Sequence, residues 1–104
     1  MKMNDYQSKC LDTWSGYHKR ERSILGLTGE GGEVAECRKK FLRGDFDEAE
    51  YVSRLSKELG DTLYYITVCA HEHGISLESV AKENNEKLQS RKQRDKINGD
   101  GDNR

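Results

Sequence analysis

Val52-Ser53-Arg54-Leu55-Ser56-Lys57-Glu58-Leu59-Gly60-Asp61-Thr62-Leu63-Tyr64-Tyr65-Ile66-Thr67-Val68-Cys69-Ala70 is the stretch that decides the fold. Val52, Leu55, Leu59, Leu63, Ile66 and Ala70 recur at steps of three and four, the period of one helix face and not the alternation of a strand. Just before it, Asp47-Glu48-Ala49-Glu50 has the form of a capping box, with Asp in place of Ser or Thr. Gly74 supplies a stop. A long helix is therefore expected between Asp47 and Gly74.

The rest of the chain reads the same way. A first helix is expected from Asn4 to about Lys19, with Tyr6, Cys10, Leu11, Trp14 and Tyr17 at helical spacing. A second is expected to begin after Ser23 as N-cap, to carry Leu27, Val34, Cys37, Phe41 and Leu42, and to stop at Gly44. A fourth starts near Ser76, with Leu77, Val80, Ala81 and Leu88 as its apolar positions. No segment alternates like a strand, and there is no proline anywhere. The fold class expected is an all-α four-helix bundle formed by residues 1–97. Residues 98–104, Asn-Gly-Asp-Gly-Asp-Asn-Arg, form a glycine-rich tail with no helical preference.

Composition narrows the class. Apolar residues make up 33% of the 104 residues, thin for a chain that buries its own core. Charged residues make up 36%, but 18 bases balance 19 acids, which suits solvated helix faces better than disorder. Some apolar surface should therefore be buried between subunits, as a homodimer or homotetramer. The formal net charge of −1 gives no polyanion-binding signature, so no nucleic-acid partner is expected. Cys10, Cys37 and Cys69 lack metal-site or redox spacing and read as free thiols. The start carries no signal-peptide stretch, and no run is long enough to span a membrane. A soluble, cytoplasmic protein is expected.

The chemistry lies in the acids. The second helix contains Gly26-Leu27-Thr28-Gly29-Glu30-Gly31-Gly32-Glu33-Val34-Ala35-Glu36. Each glycine costs a helix roughly 1 kcal/mol relative to alanine, which a sequence accepts where backbones pack closely or a ligand approaches. Glu30 and Glu33 lie one turn apart on one face, as do Glu58 and Asp61 on the third helix. If the two helices pack antiparallel, four carboxylates can converge. Their mutual repulsion is relieved by a divalent cation, and all-oxygen ligation suits Mg²⁺ or Mn²⁺. Di-iron bundles use Glu-x-x-His pairs instead, and neither pair here contains histidine. Read without a metal, the four are ordinary acids on solvated faces.

The pattern Glu30-x-x-Glu33, a spacer of 24 residues, then Glu58-x-x-Asp61 resembles the signature of the MazG-like all-α NTP pyrophosphatase superfamily. The flanks Gly-Leu-Thr-Gly-Glu-Gly-Gly-Glu-Val-Ala-Glu and Lys57-Glu58-Leu59-Gly60-Asp61-Thr62-Leu63-Tyr64-Tyr65 are part of it. Asn84-Asn85-Glu86-Lys87-Leu88 with Arg91 is similar to the family's third, phosphate-contacting element. Asp5-Tyr6-Gln7 and the glycine-rich ending resemble those of short, phage-type members. The resemblance implies cleavage of a nucleoside triphosphate between the α and β phosphates, Mg²⁺ dependence, and dimers or tetramers. The chain has a single family domain where longer MazG proteins carry two, so their substrate range does not transfer.

That chemistry gives roles to further residues. A carboxylate not fully engaged by metal can orient or deprotonate water, which points to Glu33 or Glu36. Glu36 is equally suited to a surface ion pair with Lys39 or Lys40. Asn84, Lys87 and Arg91 share a face of the fourth helix and suit phosphates, although Lys92, Arg94 and Lys96 extend the same basic character. Trp14 can stack on a base or fill the core. Tyr65, one turn past Asp61, can line a base or sugar pocket or serve as a core aromatic. His71 and His73 read as favourable charges at a helix end. The rival readings are a noncatalytic nucleotide- or metal-binding regulator and a ligand-free helical adaptor.

Overall fold

The computed structural model describes residues 1–95 and 97–102. Helix α1 spans Met3–Cys10 and passes into a short 3-10 turn, Leu11–Thr13. Then follow α2 (Lys19–Leu42), α3 (Glu48–Glu72) and α4 (Leu77–Gln93). Among the described residues there is no strand. Lys96 of the basic run, and Asn103 and Arg104 of the tail, lie outside them.

The frame is the α2–α3 hairpin. Its helices run antiparallel: Phe41 stacks on Tyr51 near the connection, with centroids 4.5 Å apart, and Gly26 lies under Tyr65 further along. Gly44 turns the chain at φ +89°, where a side chain would be strained. Asp47 caps α3, its carboxylate accepting from the Glu50 amide at 2.8 Å. Ser76 caps α4, accepting from Ser79 at 3.1 Å. Asp47 stands where its capping box places it, and Ser76 at the expected start of the fourth helix.

The first helix is shorter than expected, and the second is longer. Helix α1 stops at Cys10, and Trp14 enters extended backbone. Gly16 at φ +99° and His18 at φ +56° then reverse the chain, so α2 opens at Lys19 and Ser23 is no cap. Ser23 is fully buried inside the first turns of α2, its hydroxyl donating to the Arg20 carbonyl at 2.7 Å. Arg22 fixes the reversal, donating to the carbonyls of Ser15 (2.7 Å) and Tyr17 (3.0 Å) while lying over the Trp14 ring. Helical spacing cannot reveal that break, because Trp14 is buried without being helical.

The core is small and sits at one end. Cys10, Trp14 and Val68 form it, with Tyr6, Leu11, Tyr64 and Tyr65 packed around. Gln7 ties the ends together: its amide nitrogen donates to the Thr67 and Ile75 carbonyls, and its oxygen accepts from the Leu77 amide at 2.9 Å. The stripe that marks α3 in the sequence is not this core. Val52, Leu59, Leu63 and Ile66 are exposed, and the buried face of α3 is Thr67, Val68 and Ala70, with Tyr64 and Tyr65 half-buried. No helix is long and apolar enough to cross a membrane among the described residues.

Candidate metal centre and substrate site

The antiparallel register sets Glu30 of α2 against Glu58 and Asp61 of α3. One carboxylate oxygen from each of the three lies within 4.8 Å of the others. Glu30 and Glu58 are half-buried and Asp61 is exposed. Burial pushes the Glu30 carboxyl above its ordinary value, and Asp61, Glu58 and Glu33 add repulsion in the same direction. No cation contributes to that shift. Tyr6, near enough for Asp61 to act on it, has its phenol pushed up to about 12, chiefly by burial and by its hydrogen bond with Cys10.

This donor set fits a hard divalent ion. It offers oxygen only, from carboxylates already held close together, with Glu30 pushed toward its protonated form by burial and by its acidic neighbours. Glu33, one turn beyond Glu30, is outside the tight trio. It is exposed and lines the adjoining cleft together with Glu58. Glu36 faces Lys39 at 3.0 Å, and that bond draws its carboxyl below the usual range. This is the surface pairing that its position also allowed.

Of the four glycines around Glu30, only Gly26 is forced by packing, because a Cβ there would collide with the Tyr65 ring. Gly29, Gly31 and Gly32 face open space within this chain. Such a bare strip beside the carboxylates lets a ligand approach the backbone closely.

The aromatics take the core alternative. Trp14 is 8% exposed, with Tyr64 and Tyr65 edge-on at 6.2 Å and Arg22 over its ring; its indole nitrogen donates to Glu72 at 3.0 Å. Tyr65 is wedged between Trp14 and Gly26.

Asn84 and Lys87, with Arg91 one turn on, line a hollow beside Asp102, separate among the described residues from the cleft at Glu58. Lys87 meets the Asp102 carboxylate at 2.7 Å, and Arg91, 4% exposed, donates to the Asp102 carbonyl and carboxylate. Asp102 therefore lies back against α4. Sequence reading missed this contact, which depends on a turn no periodicity encodes. It also missed the cations that adjoin the carboxylates, Lys40, Arg54 and Lys57. The antiparallel register would have found them once the hairpin was fixed.

A model of the MazG nucleotide pyrophosphohydrolase domain matches residues 18–94. The chain belongs to the MazG family. The MazG match begins at His18, just before α2, and ends just past α4, so the whole carboxylate hairpin lies inside it and α1 outside. The gene 37 protein of Mycobacterium phage L5 is 43% identical over 82 residues, covering 77% of this chain and 72% of that protein. No solved structure matches the chain.

Proposed function

We propose that this MazG domain hydrolyses nucleoside triphosphates between the α and β phosphates, giving a nucleoside monophosphate and pyrophosphate. The observation that supports it most is the convergence of Glu30, Glu58 and Asp61 from two helices, with the Glu30 carboxyl pushed up by burial and by its acidic neighbours. A triphosphate is strongly anionic and does not approach bare carboxylates. Glu30, Glu58 and Asp61, with Glu33 beside them, would hold Mg²⁺ or Mn²⁺, which would screen that repulsion and polarise the phosphorus centre when bound.

The protein's own groups then do the following. Glu33, outside the tight trio and open to solvent, orients a water and takes its proton. The water oxygen bonds to the α phosphorus as the bond from phosphorus to the α–β bridging oxygen breaks, and that oxygen leaves with pyrophosphate. Glu36 is the second choice for this role, because Lys39 holds it in an ion pair. Tyr65 and Trp14 back the site from the core side. Lys87 and Arg91 already hold an anion, Asp102, and with Asn84 serve phosphate where α4 lies against the carboxylates of a second copy.

The test is product analysis in heavy-oxygen water, with a panel of canonical and modified triphosphates and Mg²⁺. Label in the nucleoside monophosphate and none in pyrophosphate is expected. Release of orthophosphate with a nucleoside diphosphate overturns the reaction class. Nucleotide binding without turnover on any triphosphate would make the domain a regulator.

A further inference from the structure

A buried guanidinium needs a partner, and Arg91 finds one in Asp102, eleven residues further along the chain. The geometry is that of a built anion site. Asp102 Oδ1 accepts from Lys87 Nζ at 2.7 Å and from Arg91 at 3.2 Å, so two cations one helical turn apart converge on a single oxygen. Arg91 also donates to the Asp102 carbonyl. The bond from Lys87 first, then that from Arg91, draws the Asp102 carboxyl below its usual range. Asn84, one turn before Lys87, lines the same hollow. Glu83 lines it too, but among the described residues it pairs with neither cation. With Asp102 in place, two bases meet two acids. With Asp102 gone, the site is left net positive, with both cations aimed at one point.

Charge-assisted donors converging on one oxygen suit a phosphate oxygen as well as a carboxylate. The segment that supplies the carboxylate is lightly held by burial. Residues 97–102 are all exposed, so little covered surface opposes their release. Gly101 turns at φ +81°, a conformation that side chains resist, and so brings Asp102 back to the helix. We infer that Asp102 is a tethered competitor for the phosphate site of α4: its carboxylate stands where a phosphate oxygen would, and a polyphosphate binds there only by displacing residues 97–102. A carboxylate on so short a tether acts at a roughly millimolar effective concentration. If it is docked about nine-tenths of the time, it weakens the apparent affinity of the site about ten-fold. The inference rests on the reading above that Asn84, Lys87 and Arg91 serve phosphate, and it makes the glycine-rich segment an internal brake on that site.

Calorimetric titration of inorganic tripolyphosphate in metal-free buffer tests this apart from turnover, because the carboxylates of the hairpin repel an anion when no cation is present. D102N should bind tripolyphosphate about five-fold or more tightly than the wild type, and D102E should stay near the wild type. G101V, which strains the turn without changing any charge, should shift affinity in the same direction as D102N. K87Q/R91Q should remove binding. Unchanged affinity in D102N would make Asp102 a structural tie and overturn the brake. Weaker binding would make it part of the site and overturn the brake as well, as would binding that survives K87Q/R91Q or no binding in any of the proteins. Tighter binding by D102N, with no triphosphate hydrolysed by either protein, would keep the brake and overturn the reaction. Hydrolysis with no change in affinity would do the reverse.

Discussion

The ring of Tyr65 occupies the space that a side chain at Gly26 would need, with three ring atoms inside contact distance of an ideal Cβ. Helix propensity alone favours alanine at Gly26 by about 1 kcal/mol. Overpacking costs about 1–3 kcal/mol, and here the displaced ring also abuts Trp14 and Tyr64. Gly26→Ala should therefore lower the melting temperature. Gly31→Ala, facing open space, should raise it in the absence of ligand by up to about 1 kcal/mol of stability, and should weaken nucleotide binding if the bare strip admits substrate. Thermal melts with and without nucleotide check both.

Glu58→Gln and Asp61→Asn should each abolish Mg²⁺-dependent hydrolysis while leaving the helical spectrum intact. In the metal-free protein both should melt no lower than wild type, because each removes a charge that repels Glu30. Mg²⁺ should raise the melting temperature of the wild type and not of the variants. Near-normal turnover in either would remove these residues from the metal centre.

Glu30 gives a pH signature. Its folded carboxyl holds its proton more tightly than in the unfolded chain. Between the ordinary glutamate value and the raised one, the unfolded state therefore binds fewer protons. Stability of the metal-free protein should fall as pH rises through that window and stay lower above it. Glu30→Gln should flatten this slope and raise the neutral-pH melting temperature. A pH series in chelator measures it; an unchanged slope in the variant would assign it to other groups.

What the sequence makes legible follows from locality. Asp47 and Ser76 cap their helices because a cap needs only residues three apart. Glu58 and Asp61 share a face for the same reason. Their meeting with Glu30 follows from hairpin register, which a short connection nearly forces. The break at Trp14 was hidden because its indole satisfies the helical pattern while Arg22, eight residues later, holds the chain in a turn. Lys40 and Lys57 were hidden because they sit 17 residues apart, and only the antiparallel pairing brings them to one cleft. The exposed α3 stripe was legible as apolar but not as outward, since periodicity gives a face and not its partner.

That stripe leads to the last expectation, which concerns assembly. The chain exposes 7648 Å², whereas a compact monomer of 11.9 kDa should expose about 5,900 Å². Its radius of gyration is 16.5 Å, against about 13 Å for a compact domain of this length. The excess, roughly 1,700 Å² per chain, is of the size that each subunit of an obligate homodimer covers. Its apolar part includes Leu59 at 52% exposure and Leu63 at 42% on α3, and Ile24, Ile66 and Val80 around one shared hollow. Light scattering at micromolar concentration should give at least a dimer. Leu63→Arg should lower the mass toward that of the single chain and, because the face is then left to water, lower the melting temperature as well. A wild-type mass of one chain would contradict this, and would require the α4 cations to reach phosphate from within their own subunit.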